Sequence, residues 1–441
     1  MEAVFVFRPA EKTGKQNRNI IRFAMHTILT RLFRHNEIPK EYRANFIHLY
    51  LDIGWFGILS GSAVNFINVY ATRLGATGFQ IGLLGAVSAV ISLLVAIPAG
   101  RWIEKRNTAR AVFWSSVLYR LGFFLWIPLP WLFSDQVQIW ALIVLTFLMA
   151  IPLTPLAVGF SALFAEAVPT DWRAHVAGVR NIVLSIAFMA SSLLSGYILK
   201  HMSFPAGYQV VFGIGAFGAA MSSFHLFFVR PLQKDTPALP AQPGHGPAKQ
   251  ATSPFQVLRL DIWKTRFRNV LLGLFGFHFG QYLAIPIFPI YNVRVLKLTD
   301  DHIGIGTALF YLTVLLGSTQ LRRMVHRMGH KNLTGWSVAS MAAYPLILSL
   351  STEVWQYYAV SLIGGLSFAL VSGSYANYML EHIPANDRPP HLAWYNIILN
   401  AAVLIGSLAG PVIADQIGLS QALLVIAVLR FLSGLSIVKW G

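Results

Sequence analysis

The chain has 441 residues, 55% of them hydrophobic and only 12% Asp, Glu, Lys or Arg, with no cysteine and a formal net charge of +17. So few charges cannot cover a water-facing surface, because soluble domains carry roughly a quarter; a large soluble domain is excluded, as are disulfides, thiolate metal sites and cysteine nucleophiles. The basic residues sit in short clusters between apolar runs rather than along one folded face, which argues against a nucleic-acid partner.

Residues 1–45 hold nine Lys or Arg and lack the apolar core and small-residue cleavage site of a signal peptide. Within them Ile20–Phe33 alternates apolar residues with Arg22, His26 and Arg31, the pattern of a short helix lying in the membrane interface. A membrane-crossing helix needs about 20 apolar residues. Such runs occur at 49–71, 79–99, 110–131, 138–163, 175–199 and 208–229. A segment rich in Pro, Gly and Ala follows at 231–257, with the composition of a flexible linker. His245 within it has no partner histidine nearby and reads as solvated rather than as a metal ligand. Six more runs follow at 269–291, 302–321, 333–350, 354–379, 391–411 and 420–439. Backbone amides in lipid must be paired internally, so the runs are expected to be helices. The expectation is therefore an all-α polytopic membrane protein of twelve transmembrane helices. Its parts are a basic arm (1–45), a six-helix bundle (46–230), a linker (231–262) and a second bundle (263–441).

Lys and Arg counts set the expected orientation. With the amino terminus inside, the inner segments hold 28 of the 34 basic residues, and the outer loops hold only Arg73, Lys200, Arg294 and Lys297. Both termini are thus expected in the cytoplasm of a plasma membrane. Anionic lipid accounts for the basic excess better than a polyanionic ligand.

The two halves repeat. The stretch 165–181 (AEAVPTDWRAHVAGVRN) matches 380–396 (LEHIPANDRPPHLAWYN) at an offset of 215, pairing Glu166 with Glu381, Pro169 with Pro384, Arg173 with Arg388 and Asn181 with Asn396. Ile81-Gly82 matches Ile303-Gly304 at an offset of 222, which also carries EKRN (104–107) onto HRMG (326–329). Six crossings separate equivalent points, so the repeats are parallel.

With six plus six helices, a central linker and a short loop after each second helix, the chain resembles the major facilitator superfamily over residues 46–440. The family loop runs roughly Gly-x-x-x-Asp-Arg/Lys-x-Gly-x-x-Arg/Lys. Gly100, Glu104, Lys105 and Arg110 match it, with Glu for Asp and Asn107 in place of the second glycine. The second copy is looser: Arg327, Gly329 and Lys331 fit, while Arg322 and His326 replace the first glycine and the acid. The Pro-x-x-x-Arg loops ending at Arg173 and Arg388 also resemble family loops. The resemblance implies two bundles rocking about a mid-membrane substrate site, with these loops as cytoplasmic gates. No subfamily signature is evident. The glycine–proline motif of antiporter-type members lacks its proline in the fifth helix, SSLLSGYIL (191–199), although the eleventh helix carries Gly410-Pro411.

Ionisable groups inside spans are costly and often functional. Asp52 is the acid placed within a span. It is either a proton carrier or an acid at a helix amino terminus beside an arginine. Arg120, on a helix that is peripheral in the family, binds an anion, pairs with Asp52 or is satisfied by carbonyls. Arg430 lies mid-way in the twelfth helix, likewise peripheral in the family, and Arg180 opens the fifth helix. By resemblance the first and seventh helices line the central cavity, which makes Asn65, Asn68, His278 and Gln281 the leading substrate contacts. Asn377, Asn396 and Asn400 offer similar groups in the second half. Interhelical hydrogen bonding is the alternative use of each. His278 is the best titratable cavity candidate.

The expected function is secondary transport of a small organic solute, with proton coupling open. Export of lipophilic compounds and a non-transporting receptor or scaffold role are the alternatives. No phosphate loop or nucleophile elbow is present, so no enzyme activity, cofactor or metal is expected. The partners are the lipid bilayer and a small molecule, and the protein is expected to be monomeric.

Overall fold

A computed structural model describes residues 40–232 and 259–441, so the arm's expected interfacial helix and most of the linker lie outside the described residues. Helices dominate, and no strand occurs among the described residues. The first half comprises α1 (Lys40–Arg73), α2 (Gly78–Glu104), α3 (Thr108–Trp126), α4 (Asp135–Ala167), α5 (Thr170–His201) and α6 (Ala206–Phe227). The second comprises α7 (Phe267–Val295), α8 (300–328), α9 (330–349), α10 (Val354–Glu381), α11 (Arg388–Ile417) and α12 (Leu419–Trp440).

By length and composition ten helical stretches qualify as membrane spans. The twelve crossings follow from two local effects. Arg110 and Arg120 dilute the hydropathy of α3. The stretch Asp300–Ser349 is two helices meeting at Gly329, whose φ of 74° and ψ of 166° break the helix. That backbone conformation is essentially restricted to glycine. The third span ends at Trp126, earlier than expected, because Pro128 and Pro130 cannot donate to the carbonyls four residues back; Leu129–Leu132 forms a separate turn. Caps set other boundaries. Thr77 and Gln80 form a reciprocal capping box at the start of α2, and the Asn107 side chain accepts from the Arg110 amide at the start of α3.

One face of the molecule carries Lys40, both linker ends and the last residue; it is called the linker face below. Asn45 ties this face together in the first half. Its amide donates to the carbonyls of Ala167 (3.1 Å) and Arg230 (2.8 Å), and its oxygen accepts from the Arg230 amide. The repeat is visible in side-chain contacts. Thr108 donates to Glu166 at 3.2 Å, and His330 lies 3.8 Å from Glu381. These residues are related by the same offsets, 222 and 215, that relate the two halves of the sequence.

Small residues let the halves approach on the opposite face. A Cβ on Gly304 of α8 would sit 2.7 Å from the Ser192 carbonyl of α5, and one on Gly82 of α2 would sit 2.3 Å from the Ser407 carbonyl of α11. Such lanes of glycine are the usual means of close helix contact in lipid, where apolar burial gives no net drive.

Candidate functional site

Between the halves lies a crevice of about 650 Å³, bounded by α5, α8 and α10. Asn181, Ser185, Ser318, Thr319 and Ser372 give it amide and hydroxyl groups, and Tyr311 and Phe368 give it aromatic walls. No ionisable acid or base lines it apart from the phenol of Tyr311. Following α5 and α8 toward the face opposite the linker, the contacts tighten in order. Phe188 stacks on Tyr311 with ring centroids 4.1 Å apart. One turn further, Asn65 donates to the Ser192 hydroxyl, which donates to the Gly304 carbonyl, each at 3.2 Å, so α1, α5 and α8 share a chain of bonds across the two halves. At the helix ends Arg73 pairs with Asp300 (2.8 Å) and Lys200 with Asp301 (2.7 Å). Arg73 also donates to the Leu298 carbonyl, and Arg294 to the Ala76 carbonyl. These bonds and ion pairs joining the halves lie on the side away from the linker. Asn181 and Ser185 of α5 and Ser318 and Thr319 of α8 line the crevice on its linker side.

A second polar centre is buried inside the first bundle. Asp52, 3% exposed, lies 3.3 Å from Arg180 and 3.6 Å from Arg120, and accepts from Ser222 at 2.6 Å. Arg180 also donates to the Leu49 carbonyl, and Arg120 to the Ser116 and Ser223 hydroxyls. Their guanidinium groups face the rings of Phe160 and Phe56 at 4.7 and 5.8 Å. Both carboxylate oxygens are therefore occupied by donors. Arg180 was expected at the start of the fifth helix, yet α5 begins at Thr170, so Arg180 sits nearly three turns in and is buried.

In the second bundle His278 of α7 lies 3.0 Å from the Tyr395 hydroxyl of α11, with Tyr375 of α10 against its ring. Gln281 does not share this environment. Three residues fall about 60° short of a full turn, enough to aim Gln281 instead into a smaller cavity beside Arg430 of α12. Asn68 has a buried side-chain oxygen with no partner among the described residues. Asn377 and Asn396 are exposed, and the Asn400 side chain donates to the Asn396 carbonyl of its own helix.

The gate-loop residues lie at the linker face. Lys105, Arg110, His326, Arg327 and Arg388 are exposed there, Gly100 is half-buried in the last turns of α2, and the Glu104 side chain is outside the described ones. Arg173 closes the end of α4 by donating to the carbonyls of Ala165 (2.7 Å) and Val168 (3.2 Å). Beside the second bundle, Arg259 forks between Asp261 and Asp387, tying the linker end to the α10–α11 connection. The two carboxylates hold the Arg259 pKa above its ordinary value, and Arg259 in turn lowers that of Asp261. No group of three His, Asp or Glu side chains suited to a metal occurs among the described residues.

Sequence reasoning passed over Asn45, Arg259 and the Arg73–Asp300 and Lys200–Asp301 latch, and placed Arg180 without its partner. A signal for the latch existed: Arg73 and Lys200 are two of the four basic residues in the outer loops, and Asp300-Asp301 opens the helix facing them.

Two parallel six-helix repeats in contact across a crevice define a class of polytopic membrane protein. The sequence profile of the Major Facilitator Superfamily matches residues 53–299 and 270–440, once per half, and the chain belongs to that family. The staphyloferrin B transporter of Staphylococcus aureus (strain NCTC 8325 / PS 47) is 27% identical over 180 residues, covering 40% of this chain and 43% of its own. The cis,cis-muconate transport protein of Acinetobacter baylyi (strain ATCC 33305 / BD413 / ADP1) is 26% identical over 290 residues, 63% of this chain and 66% of its own. The chain thus spans less than half of the first relative and just under two thirds of the second. Among solved structures, the nucleoside transporter NupG superposes with a TM-score of 0.65 at 13% identity, over 91% of this chain and 100% of that one. The xylose transporter XylE from E. coli, in a partially occluded inward open conformation, gives 0.64 at 13%, over 90% and 97%. These two likenesses concern the fold.

Proposed function

We propose that the protein is a secondary transporter moving a small, uncharged, partly apolar organic solute by alternating access, with the linker face in the cytoplasm of a bacterial plasma membrane. The observation that carries this reading is a polar crevice between the two halves that is latched by ion pairs and glycine contacts on the side away from the linker. The excess of Lys and Arg at the linker face supports its cytoplasmic placement, and the state described is then inward-open. The rigid bodies that rock are residues 46–230 and 263–441. The crevice offers amide and hydroxyl groups and aromatic rings but no acid or base other than a phenol, which suits a neutral solute. The curated relatives are named for transport of different small molecules, so their cargo is not carried over individually. Export of lipophilic compounds is a second reading, supported by the Phe188, Tyr311 and Phe368 walls and by a 26% identical stretch of 151 residues in Multidrug resistance protein 2 of Bacillus subtilis (strain 168).

The test is flux into vesicles containing the purified protein, with nucleosides, sugars, neutral amino acids and lipophilic solutes as cargo, each with and without a pH gradient. The chain has no cysteine, so Asn181→Cys provides a clean reporter in the crevice. Saturable flux of one neutral class, with protection of Cys at 181 by the same solute, is the expected result. A folded protein that neither carries nor is protected by any of them would sink the proposal. A dependence of flux on the gradient would add a coupled proton.

A further inference from the structure

Behind the Phe310 and Phe368 rings, whose centroids are 5.7 Å apart, the second bundle encloses a separate cavity of about 210 Å³. Phe368 forms a wall of both this cavity and the crevice. Phe288, Tyr344, Gln281 and Arg430 complete its inner surface. The room exists because α7 lacks side chains where α12 crosses it: a Cβ on Gly280 would sit 3.1 Å from the Arg430 Cγ, so the glycine admits the arginine stem.

Arg430 is 3% exposed. Its Nε donates to the Gly280 carbonyl (3.1 Å), Nη1 to Met341 (3.2 Å) and Nη2 to Gln281 (3.4 Å). Met341 is free to accept because residue 345, which would bond it in a continuous helix, is proline. These bonds use three of five N–H groups and leave the charge unbalanced. Among the described residues Arg430 makes no ion pair; the ionisable group beside it is the Tyr344 phenol. The other two buried arginines of the spans, Arg120 and Arg180, share a carboxylate. A buried cation without a counter-ion is costly, and this one borders a cavity with aromatic walls. The side-chain oxygen of Gln281 is also buried without a partner at the same place.

We propose that this cavity is a binding site for a small aromatic monocarboxylate, its carboxylate on the unused N–H groups of Arg430 and its ring among Phe288, Phe310, Tyr344 and Phe368. A cavity of about 150 Å³ accepts a benzene ring, so the volume suits one ring plus a carboxylate. A carboxylate has no proton for the free Gln281 oxygen, whereas a neutral amide such as benzamide can donate to it; the charge on Arg430 is what favours the carboxylate over the amide. The site lies within one bundle, so it stands whether or not the crevice carries cargo.

The experiment is calorimetric titration of the full-length protein in detergent with benzoate and, separately, with benzamide. Saturable benzoate binding, with benzamide at least about tenfold weaker, is expected, since a charge-assisted hydrogen bond is worth a factor of that order or more. Arg430→Lys keeps the charge and should retain measurable binding; Arg430→Gln should lose it. Ile285→Phe, which fills the cavity and leaves Arg430 in place, should also abolish binding and guards against Arg430→Gln failing to fold. Equal affinity for benzoate and benzamide, undiminished binding in the folded Ile285→Phe protein, or no benzoate binding by the folded parent protein would each overturn the proposal.

Discussion

At the scale of single residues, the buried charges behave differently according to what they face. Asp52 of α1 is held by two guanidinium groups and a hydroxyl on three other helices, α3, α5 and α6. Removing one member of a buried ionic group costs about 3–5 kcal/mol, because the remaining charge is left unpaired. Asp52→Asn is therefore expected to destabilise the purified protein by that amount in chemical denaturation, and Arg180→Met, which leaves Asp52 paired with Arg120, by less. A double variant, Asp52→Asn with Arg180→Met, should cost less than the two singly added, since it leaves one guanidinium unpaired in place of two. The Arg259 fork lies in water and responds to pH instead. Asp261 has a folded-state pKa below its unfolded one, so its contribution is complete above about pH 4 and is lost as pH falls through the depressed value. The protection of amides 259–264 against hydrogen exchange, relative to their intrinsic rates at each pH, should fall as Asp261 is protonated, and Arg259→Gln should remove that acid dependence.

The helices show where backbone geometry dominates over side-chain chemistry. Gly329 has open space around its Cβ position, so alanine there meets no neighbour and tests the backbone alone. Gly329→Ala is expected to cost about 1–3 kcal/mol through strain, visible as a lowered Tm. Gly304 is the opposite case: its φ is helical, and an added side chain meets the Ser192 carbonyl of the other half. Gly304→Val should wedge the latched face apart with little loss of secondary structure. The measurement is labelling of Asn181→Cys from the linker side, which should slow if the wedge shifts the population toward the state closed there; unchanged labelling in a folded protein would show that α5 and α8 repack around the valine. Hydropathy alone made most of the helices legible. The runs at 110–131, 302–321 and 333–350 marked α3, α8 and α9 as well; what hydropathy left out is the Gly329 dihedral that joins α8 to α9, which no periodicity reveals.

At the scale of the whole molecule the latch sets the balance between states. Lys200 is 55% exposed and its pair with Asp301 is worth little in water. Arg73 is 26% exposed and Asp300 10%, and Arg73 also bonds the Leu298 carbonyl. Asp300→Asn is thus expected to shift the conformational balance more than Asp301→Asn, read as slower labelling of Cys at 181 in the crevice. Equal effects of the two variants would mean that exposure does not decide the strength of the latch. High salt should mimic the Asp301 change more than the Asp300 change, because screening acts most on the exposed pair.

The candidate site was legible only in part. Asn65 was singled out from its position on the first helix, and the structure joins it to Ser192 of the same bundle, whose hydroxyl bonds the Gly304 carbonyl across the half boundary. His278 and Gln281 looked like neighbours on one face, yet 60° of helix rotation sends them to different surroundings. Asn377 lies one turn beyond Gly373 of the crevice wall and Asn396 is the repeat partner of Asn181, yet periodicity could not place either, because a membrane helix is apolar on every side.

The sequence by itself determined the membrane class, the twelve crossings, the parallel repeat and the family resemblance. Each of these follows from local composition or from matches at a fixed offset, quantities that do not depend on how helices are arranged. Only the tertiary structure decided which charges meet, because Asp52, Arg120 and Arg180 lie on three helices and are up to 128 residues apart. It alone also decided which face of the crevice is closed. That choice is a balance among contacts made between the halves, and no stretch of sequence contains both sides of such a contact.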